Sequence, residues 1–410
     1  MRRTALLALT IAAFSGAFPH AGDAQSTLSA QLSHELALAG PASGAYIYDL
    51  NTSTPLFAER ATTARPPASV EKLYTATTAL ELMGPSATLS TTVLGTGQLG
   101  RDGRWEGNLY LRGGGDPTFG SALFTSLHYG GQGATIQALA AQLAHTDGIR
   151  TVTGTVNGDE SFFDSLRGEP ASGYRFDPDL EGNLSALAFN RGETGSQSEP
   201  HAPAAYAALQ LRGALRAYHV TVHSGGAATT PPDAKLLATV RSPTLARLLG
   251  LTLPPSDNFF AETLIKDLGA LYGGAGTTST GAAVVRRTIA HFHLHPHLLD
   301  GSGLSHSDHT TPLEVVSLLA QLAHSPLGTA LRKDLAVAGR TGTLSERMRG
   351  TAASGRCEAK TGTLIGVSNL AGYCQSESGD ILAFAFFTDG IATEAAHTIQ
   401  DNMAITLARY

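Results

Sequence analysis

Apolar residues alternate in period along the chain, and the changes of period mark its elements. TLSAQLSHELALA, residues 27–39, has helical spacing. GAYIYDLNTSTPLFAE, residues 44–59, predicts two strands joined at the polar turn Asn51–Thr54. SVEKLYTATTALELMG, residues 69–84, predicts a helix with Val70, Leu73, Leu80 and Met83 on its apolar face. Pro66 and Pro67 precede it, and Gly84–Pro85 stop it.

Between about residues 86 and 235 the pattern changes. GNLYLRGGGDPTF and IRTVTGTVNGDESFFD predict short strands with glycine turns, and ATIQALAAQLAHT between them predicts a helix. HSGGAATTPPDAK, residues 223–235, reads as a closing linker. Beyond it, longer helices and strands resume. SDNFFAETLIKDLGALYGG and TPLEVVSLLAQLAHS predict helices, and CEAKTGTL, SNLAGYC and ILAFAFFTD predict strands. TEAAHTIQDNMAITLARY predicts a closing helix. Strands from both chain ends with helices between them predict an α/β (α+β) fold, one sheet flanked by helices. Residues 25–85 and 236–410 then form one unit, and residues 86–235 are an inserted, mainly β domain.

Composition narrows the class. The chain has 410 residues, 42% of them hydrophobic, and its net charge is −6. This is enough for a sizeable core and two or three domains. No basic block appears, which argues against nucleic acid as a partner. MRRTALLALTIAAFSGAF is a basic start followed by a short apolar run, and it predicts an export signal, residues 1–24, cleaved after Ala24. No later segment is apolar for long enough to span a membrane. The expected location is therefore outside the cytoplasm, periplasmic or extracellular at the cell wall. In that setting Cys357 and Cys374, the only cysteines, are expected to form a disulfide across a hairpin.

Lysine is scarce here: five, at positions 72, 235, 266, 333 and 360, against 23 arginines. Two of the five fall in short motifs. Ser69-Val-Glu-Lys72, Ser256-Asp-Asn258 and Lys360-Thr361-Gly362 occur in that order. Singly, each has a plain alternative: Ser69 and Ser256 as helix N-caps, the third motif as a strand entering a turn. Jointly they point to chemistry. Residues three apart share a helix face, so Lys72 reaches the Ser69 hydroxyl. Serine attacks only when a base takes its proton, and lysine can be that base when burial or a second ammonium lowers its pKa. Lys360 is the candidate second ammonium. Arginine, permanently charged, cannot replace Lys72. These residues predict an acyl-transfer serine enzyme.

The three motifs are the signature of serine β-lactamases and penicillin-binding proteins. The chain resembles, within that superfamily, the D-alanyl-D-alanine carboxypeptidase/endopeptidases of peptidase family S13, the penicillin-binding protein 4 group. LYLRGGGDPTF, GDESFFD, LSALAFN, DGSGLS and AKTGTLIGVSNLAGY carry the resemblance beside the motifs. It implies a β-lactamase/transpeptidase-like domain with an antiparallel sheet, interrupted by extra domains of which the smaller is reduced here. By motif position, Ser69 is the expected nucleophile and Lys72 its base. Ser256 relays a proton to the leaving group and Asn258 holds the substrate. Lys360, Thr361 and Gly362 receive the terminal carboxylate, and the N–H groups of Ser69 and Thr363 form the oxyanion hole. Peptidoglycan stem peptides ending in D-Ala-D-Ala are the implied substrates, β-lactams the covalent inhibitors, and no cofactor or metal is implied.

Two rivals share the motifs. A class A β-lactamase needs a glutamate about three dozen residues beyond the second motif. That region here reads RTIAHFHLHP, and the next acid is Asp300. A non-turnover penicillin sensor would acylate without releasing product. Arg340-Thr341-Gly342 mimics the third motif but is expected in the loop before it. His291, His293, His295 and His297 alternate in HFHLHPH and read as solvated loop residues.

Overall fold

The computed structural model describes residues 21–192 and 202–410, with the backbone alone for 21–24 and 224. Most of the expected export signal, and its cleavage point at Ala24, lie outside what it describes in full. Strands β1 (Gly44–Asp49) and β2 (Thr54–Glu59) form the hairpin expected around Asn51. The middle of the chain supplies β3 (Ser90–Gly95), β4 (Gln98–Leu99), β5 (Arg104–Glu106), β6 (Leu109–Arg112), β7 (Thr151–Asp159), β8 (Thr221–Ala227) and β9 (Lys235–Arg241). The C-terminal third supplies β10 (Ala336–Val337), β11 (Cys357–Leu364), β12 (Val367–Gln375) and β13 (Ile381–Asp389).

These strands build two sheets. The first is six-stranded and antiparallel throughout, in the order β10-β11-β12-β13-β1-β2, so the chain's two ends meet at the β13–β1 pair. Its central strands are buried on both faces, as near-continuous apolar runs require. In β13, Phe384 and Phe386 turn to one face with Leu370, against the helices Ala21–Leu38 and Thr393–Arg409. Ala383, Ala385 and Phe387 turn to the other, where the helices Lys72–Met83, Thr278–Ile289 and Pro312–Leu322 share a core. Alternating alanine and phenylalanine in FAFF thus serves two layers from one strand.

The second sheet is mixed. Its order is β4-β5-β7-β6-β3-β9, with β8 beside β7. β7 runs parallel to β5, β6 and β8, and the helices Ile136–Ala141 and Pro203–Ala217 cover it. The stretch from His223, expected as linker, begins inside β8: His223 and Ser224 pair with Thr155 and Val156. Its glycines suggested a loop, but Gly225 lets the strand lie close to β7, where a Cβ on it would strike Asn157.

Cys357 and Cys374 lie directly opposite on β11 and β12 and are joined by a disulfide that spans 17 residues. Both are buried under the Thr393–Arg409 helix. Loop-closure entropy gives such a link about 3 kcal/mol. Replacing both cysteines by alanine is expected to lower the urea midpoint accordingly; an unchanged midpoint would contradict a stabilising role.

Candidate active site

The sequence turns sharply before Lys72. Ser69 sits in a 3-10 turn, Ala68–Glu71, that runs directly into the Lys72–Met83 helix. Ala68, fully buried, has φ +48, in the left-handed region that an alanine occupies at a cost. The turn is held from outside: Asn369 on β12 donates from Nδ2 to the carbonyls of Pro66 (2.9 Å) and Pro67 (2.8 Å). Gly303 also packs against the turn, and a Cβ there would lie 1.9 Å from the Ala68 carbonyl oxygen. At its φ of +80 only glycine is at ease.

Neither serine serves as a helix cap. Among the described residues no side chain caps the Lys72–Met83 helix. The Asn258–Leu268 helix is capped by Asp257, whose carboxylate accepts from Phe260 N (2.9 Å). Asp257 also takes a two-pronged contact from Arg191, at 2.6 and 3.1 Å. Ser256 is left at φ +67, its hydroxyl turned to Lys360 Nζ at 2.8 Å.

The three motifs converge. Lys72 Nζ lies 2.9 Å from Ser69 Oγ, 2.7 Å from Asn258 Oδ1 and 2.7 Å from the Ser302 carbonyl oxygen. Asn258 Nδ2 donates to the Asp179 carbonyl (2.7 Å), which fixes the amide with its oxygen toward the amine. Lys360 Nζ donates to the Thr361 carbonyl (2.9 Å), and Thr361 Oγ1 meets Thr343 Oγ1 at 2.8 Å. Gly362 passes so near Ser69 that a Cβ would lie 3.0 Å from the Ser69 nitrogen. Thr363 and Ile365 continue along the rim of a cleft of about 550 Å³, floored by Ser69, Ser256 and Asn258. Across the mouth stand Asp177, Asp179 and Glu181 of the middle segment.

Burial sets the charges. Lys72 is 1% exposed, and desolvation lowers its pKa to about 8 against the pull of Glu71, Asp300, Glu262 and Asp257. Lys360, wholly buried, is held well below the ordinary amine range, first by desolvation and then by the Lys72 charge. Water exclusion, more than a second ammonium, is therefore what depresses Lys72. Beneath it lies a set of buried carboxyls. Glu71 is pushed well up, Glu262 to about 8 and Asp308 to about 11, in each case by desolvation first.

Several residues that build the site give little sign of it in the sequence. Thr343 reaches the cleft from the loop after β10, and the echo of RTGTL with KTGTL is its visible sign. Arg340 itself stays in that loop. Ser302 lies in DGSGLS, a stretch that carries resemblance but no chemistry legible in its side chains. Asn369 and Glu262 likewise lie in stretches that carry the resemblance, and neither side chain announces its role. His297 pairs through its backbone with His309, and among the described residues no cluster of three or more histidine, cysteine or acidic side chains is placed to hold a metal.

A six-stranded antiparallel sheet between helical layers, with these motifs at one edge, is the β-lactamase/transpeptidase-like architecture. The D-Ala-D-Ala carboxypeptidase 3 (S13) family model matches residues 24–181 and 178–410, and the chain belongs to this family. It is 31% identical to a D-alanyl-D-alanine carboxypeptidase of Actinomadura sp. (strain R39), covering 96% of this chain and 88% of that one. Identity to Carboxypeptidase DacB of Mycolicibacterium smegmatis is also 31%, over 88% of this chain and 79% of that one. The fold is similar to crystalline penicillin binding protein 4 (dacB) from Haemophilus influenzae, with a TM-score of 0.77 at 21% identity. That match covers 92% of this chain and 99% of the other.

The Asn369 amide ties β12 to the turn that carries Ser69. Asn369→Ala takes the partner from one buried and one half-buried carbonyl and is expected to cost about 2 kcal/mol, read as a lower melting temperature. A variant that melts like the parent would contradict this anchoring.

Proposed function

We propose that this chain is a penicillin-sensitive serine D-alanyl-D-alanine carboxypeptidase that trims peptidoglycan stem peptides through an acyl-enzyme on Ser69. One observation carries the reading: a buried amine with pKa about 8 stands 2.9 Å from a serine hydroxyl on the floor of an open cleft. Near neutrality a useful fraction of Lys72 is uncharged and accepts the Ser69 proton. Ser69 Oγ then bonds to the carbonyl carbon of the penultimate D-alanine, and the carbonyl's π pair moves onto its oxygen. The N–H groups of Ser69 and Thr363 receive that oxyanion. The narrow passage of Gly362 beside the Ser69 nitrogen supports this placement.

When the tetrahedral intermediate collapses, the C–N bond breaks and the leaving D-alanine takes the proton that Lys72 had accepted, which returns Lys72 to the free amine. Ser256, hydrogen-bonded to Lys360, relays that proton. Water then attacks the ester, Lys72 again accepts a proton, and Ser69 is regenerated. Lys360 and Thr361 receive the free carboxylate of the substrate. An incoming carboxylate restores the charge that burial removes from Lys360, so a chain end is favoured over an internal bond. Endopeptidase cleavage of cross-links is a second activity of the same site.

Residues 25–85 and 236–410 are read from the sequence as the catalytic unit and 86–235 as the insert; the pairing of β9, Lys235–Arg241, with β3 supports an insert that runs on to Arg241. We place the protein outside the cytoplasm, at the peptidoglycan: the basic-apolar start of the chain and the Cys357–Cys374 disulfide both support export. Among the described residues no helix is long and apolar enough to cross a membrane.

The active form of Lys72 is the free amine, so the rate of benzylpenicillin acylation is expected to rise with pH and level off above about 8. A rate independent of pH across that range would contradict the assignment. Lys72→Arg keeps the charge and removes the base, and is expected to lower acylation about 10²–10⁴-fold. Release of D-alanine from a pentapeptide stem separates hydrolase from sensor. Repeated turnover is expected, and a single stoichiometric burst would reject the enzyme reading.

A further inference from the structure

The surroundings of Lys72 Nζ contain an asymmetry that the roles above leave unused. A neutral amine has two N–H bonds and one lone pair. Of its three neighbours, Asn258 Oδ1 and the Ser302 carbonyl oxygen can only accept. Each lies at 2.7 Å, so together they take both N–H bonds. The lone pair is left one direction, toward Ser69 Oγ at 2.9 Å, and the hydroxyl proton is the donor that fills it. Two acceptors therefore decide where the base points. One is fixed by the Asp179 carbonyl holding Asn258 Nδ2. The other is a peptide carbonyl in a loop, and something must hold that loop.

Glu262 does so. It lies four residues after Asn258 on the same helix, hence on the same face. Its Oε1 accepts from Gly301 N and Ser302 N, both at 2.8 Å. Asp300 adds Gly303 N at 2.7 Å and Ser305 N at 2.8 Å. The loop also packs on the helix, since a Cβ on Gly301 would lie 2.7 Å from the Ala261 carbonyl oxygen. Glu262 and Ser302 are both fully buried, so water does not replace these bonds at no cost.

We propose that Glu262 is a positioning residue for the acylation step: its Oε1 locks the Gly301–Ser302 backbone so that the Ser302 carbonyl turns the Lys72 lone pair onto Ser69. Reach, not charge, is what the role requires. The inference rests on Ser69 and Lys72 being nucleophile and base. In that step the Ser69 O–H bond breaks, its proton joins Nζ, and the new O–C bond forms. The resulting ammonium keeps Asn258 and Ser302 as acceptors and turns its third N–H to the ester oxygen.

Charge and reach are separable in two variants. Glu262→Asp keeps the carboxylate and draws it back by one methylene. Glu262→Gln keeps an acceptor oxygen at full length and loses the charge. The second carboxylate oxygen, Oε2, has no hydrogen-bond partner among the described residues, so an amide nitrogen placed there displaces none of these bonds. Benzylpenicillin acylation is followed from pH 6 to 10, per titrated active site. Groups facing Lys72 that also titrate or carry charge are Glu71, Asp257, Asp300, Glu262 and Lys360, so a change of charge alone moves the midpoint of this profile. Loss of aim lowers its alkaline plateau instead.

The expected result is a plateau lowered about tenfold or more in Glu262→Asp and held within about threefold of the parent in Glu262→Gln. Equal plateaus in all three proteins, a greater loss in the glutamine variant, or an aspartate variant whose midpoint shifts while its plateau stays intact would each overturn the proposal. Should the aspartate variant not fold, Glu262→Met, of similar length and without an acceptor, takes its place with the same expected loss. Parent protein that is not acylated at Ser69 would count against the enzyme reading itself; normal parent acylation with unordered variants would count against Glu262 alone.

Discussion

A lysine amine deprived of water is the constraint on which this molecule turns. Lys72 is 1% exposed and its Nζ meets three oxygens, none of them a full charge. Desolvation favours the free amine, and the buried carboxyls around it favour the ammonium. The balance, near pH 8, leaves the group able both to take a proton and to give it back. Much of the fold around the cleft can be understood as keeping water out while holding that geometry.

Five separate stretches of chain contribute. Asn369 grips the turn before Ser69 from β12, and Gly303 packs closely against it. Asn258 and Glu262 project from one helix face, one to the amine and one to the loop whose carbonyl completes its shell. The middle segment takes part as well. Arg191 clamps Asp257 and lies over the Phe259 ring at 4.9 Å, while the Asp179 carbonyl orients Asn258. The segment that interrupts the chain between the first and second motifs is thus bound into the support of the second. Its acidic edge at Asp177, Asp179 and Glu181 also forms one wall of the cleft.

Much of this is legible in the sequence, for identifiable reasons. The strands from Cys357 to Asp389 and the hairpin at Asn51 announce themselves by apolar runs and turns, and the disulfide by its two cysteines on facing strands. Lys72 and Lys360 stand out because lysine is otherwise so rare. The helices Pro203–Ala217 and Thr278–Ile289 have a clear apolar face, but it is built largely from alanine, threonine and valine among arginines, and few large apolar residues mark it in the sequence. Supporting residues are less visible still. Glu262 looks like any acid on a helix, and Asn369 like any polar residue in a strand. The role of each is set by a backbone 39 or more residues away. Ser302 contributes a carbonyl, which no side-chain pattern reports. The depressed lysine is expected from sequence, but its chief cause, burial over ammonium repulsion, depends on packing that only the fold reveals.

The most direct test is the titration of Lys72 itself. With five lysines in the chain, labelled side-chain amines give few NMR signals, and single substitutions assign them. The Lys72 resonance is expected to titrate with a midpoint near 8, well below the ordinary lysine value of about 10.4. A Lys72 amine that stays fully protonated to pH values near that ordinary range, in protein that still acylates at Ser69, would contradict its role as the base.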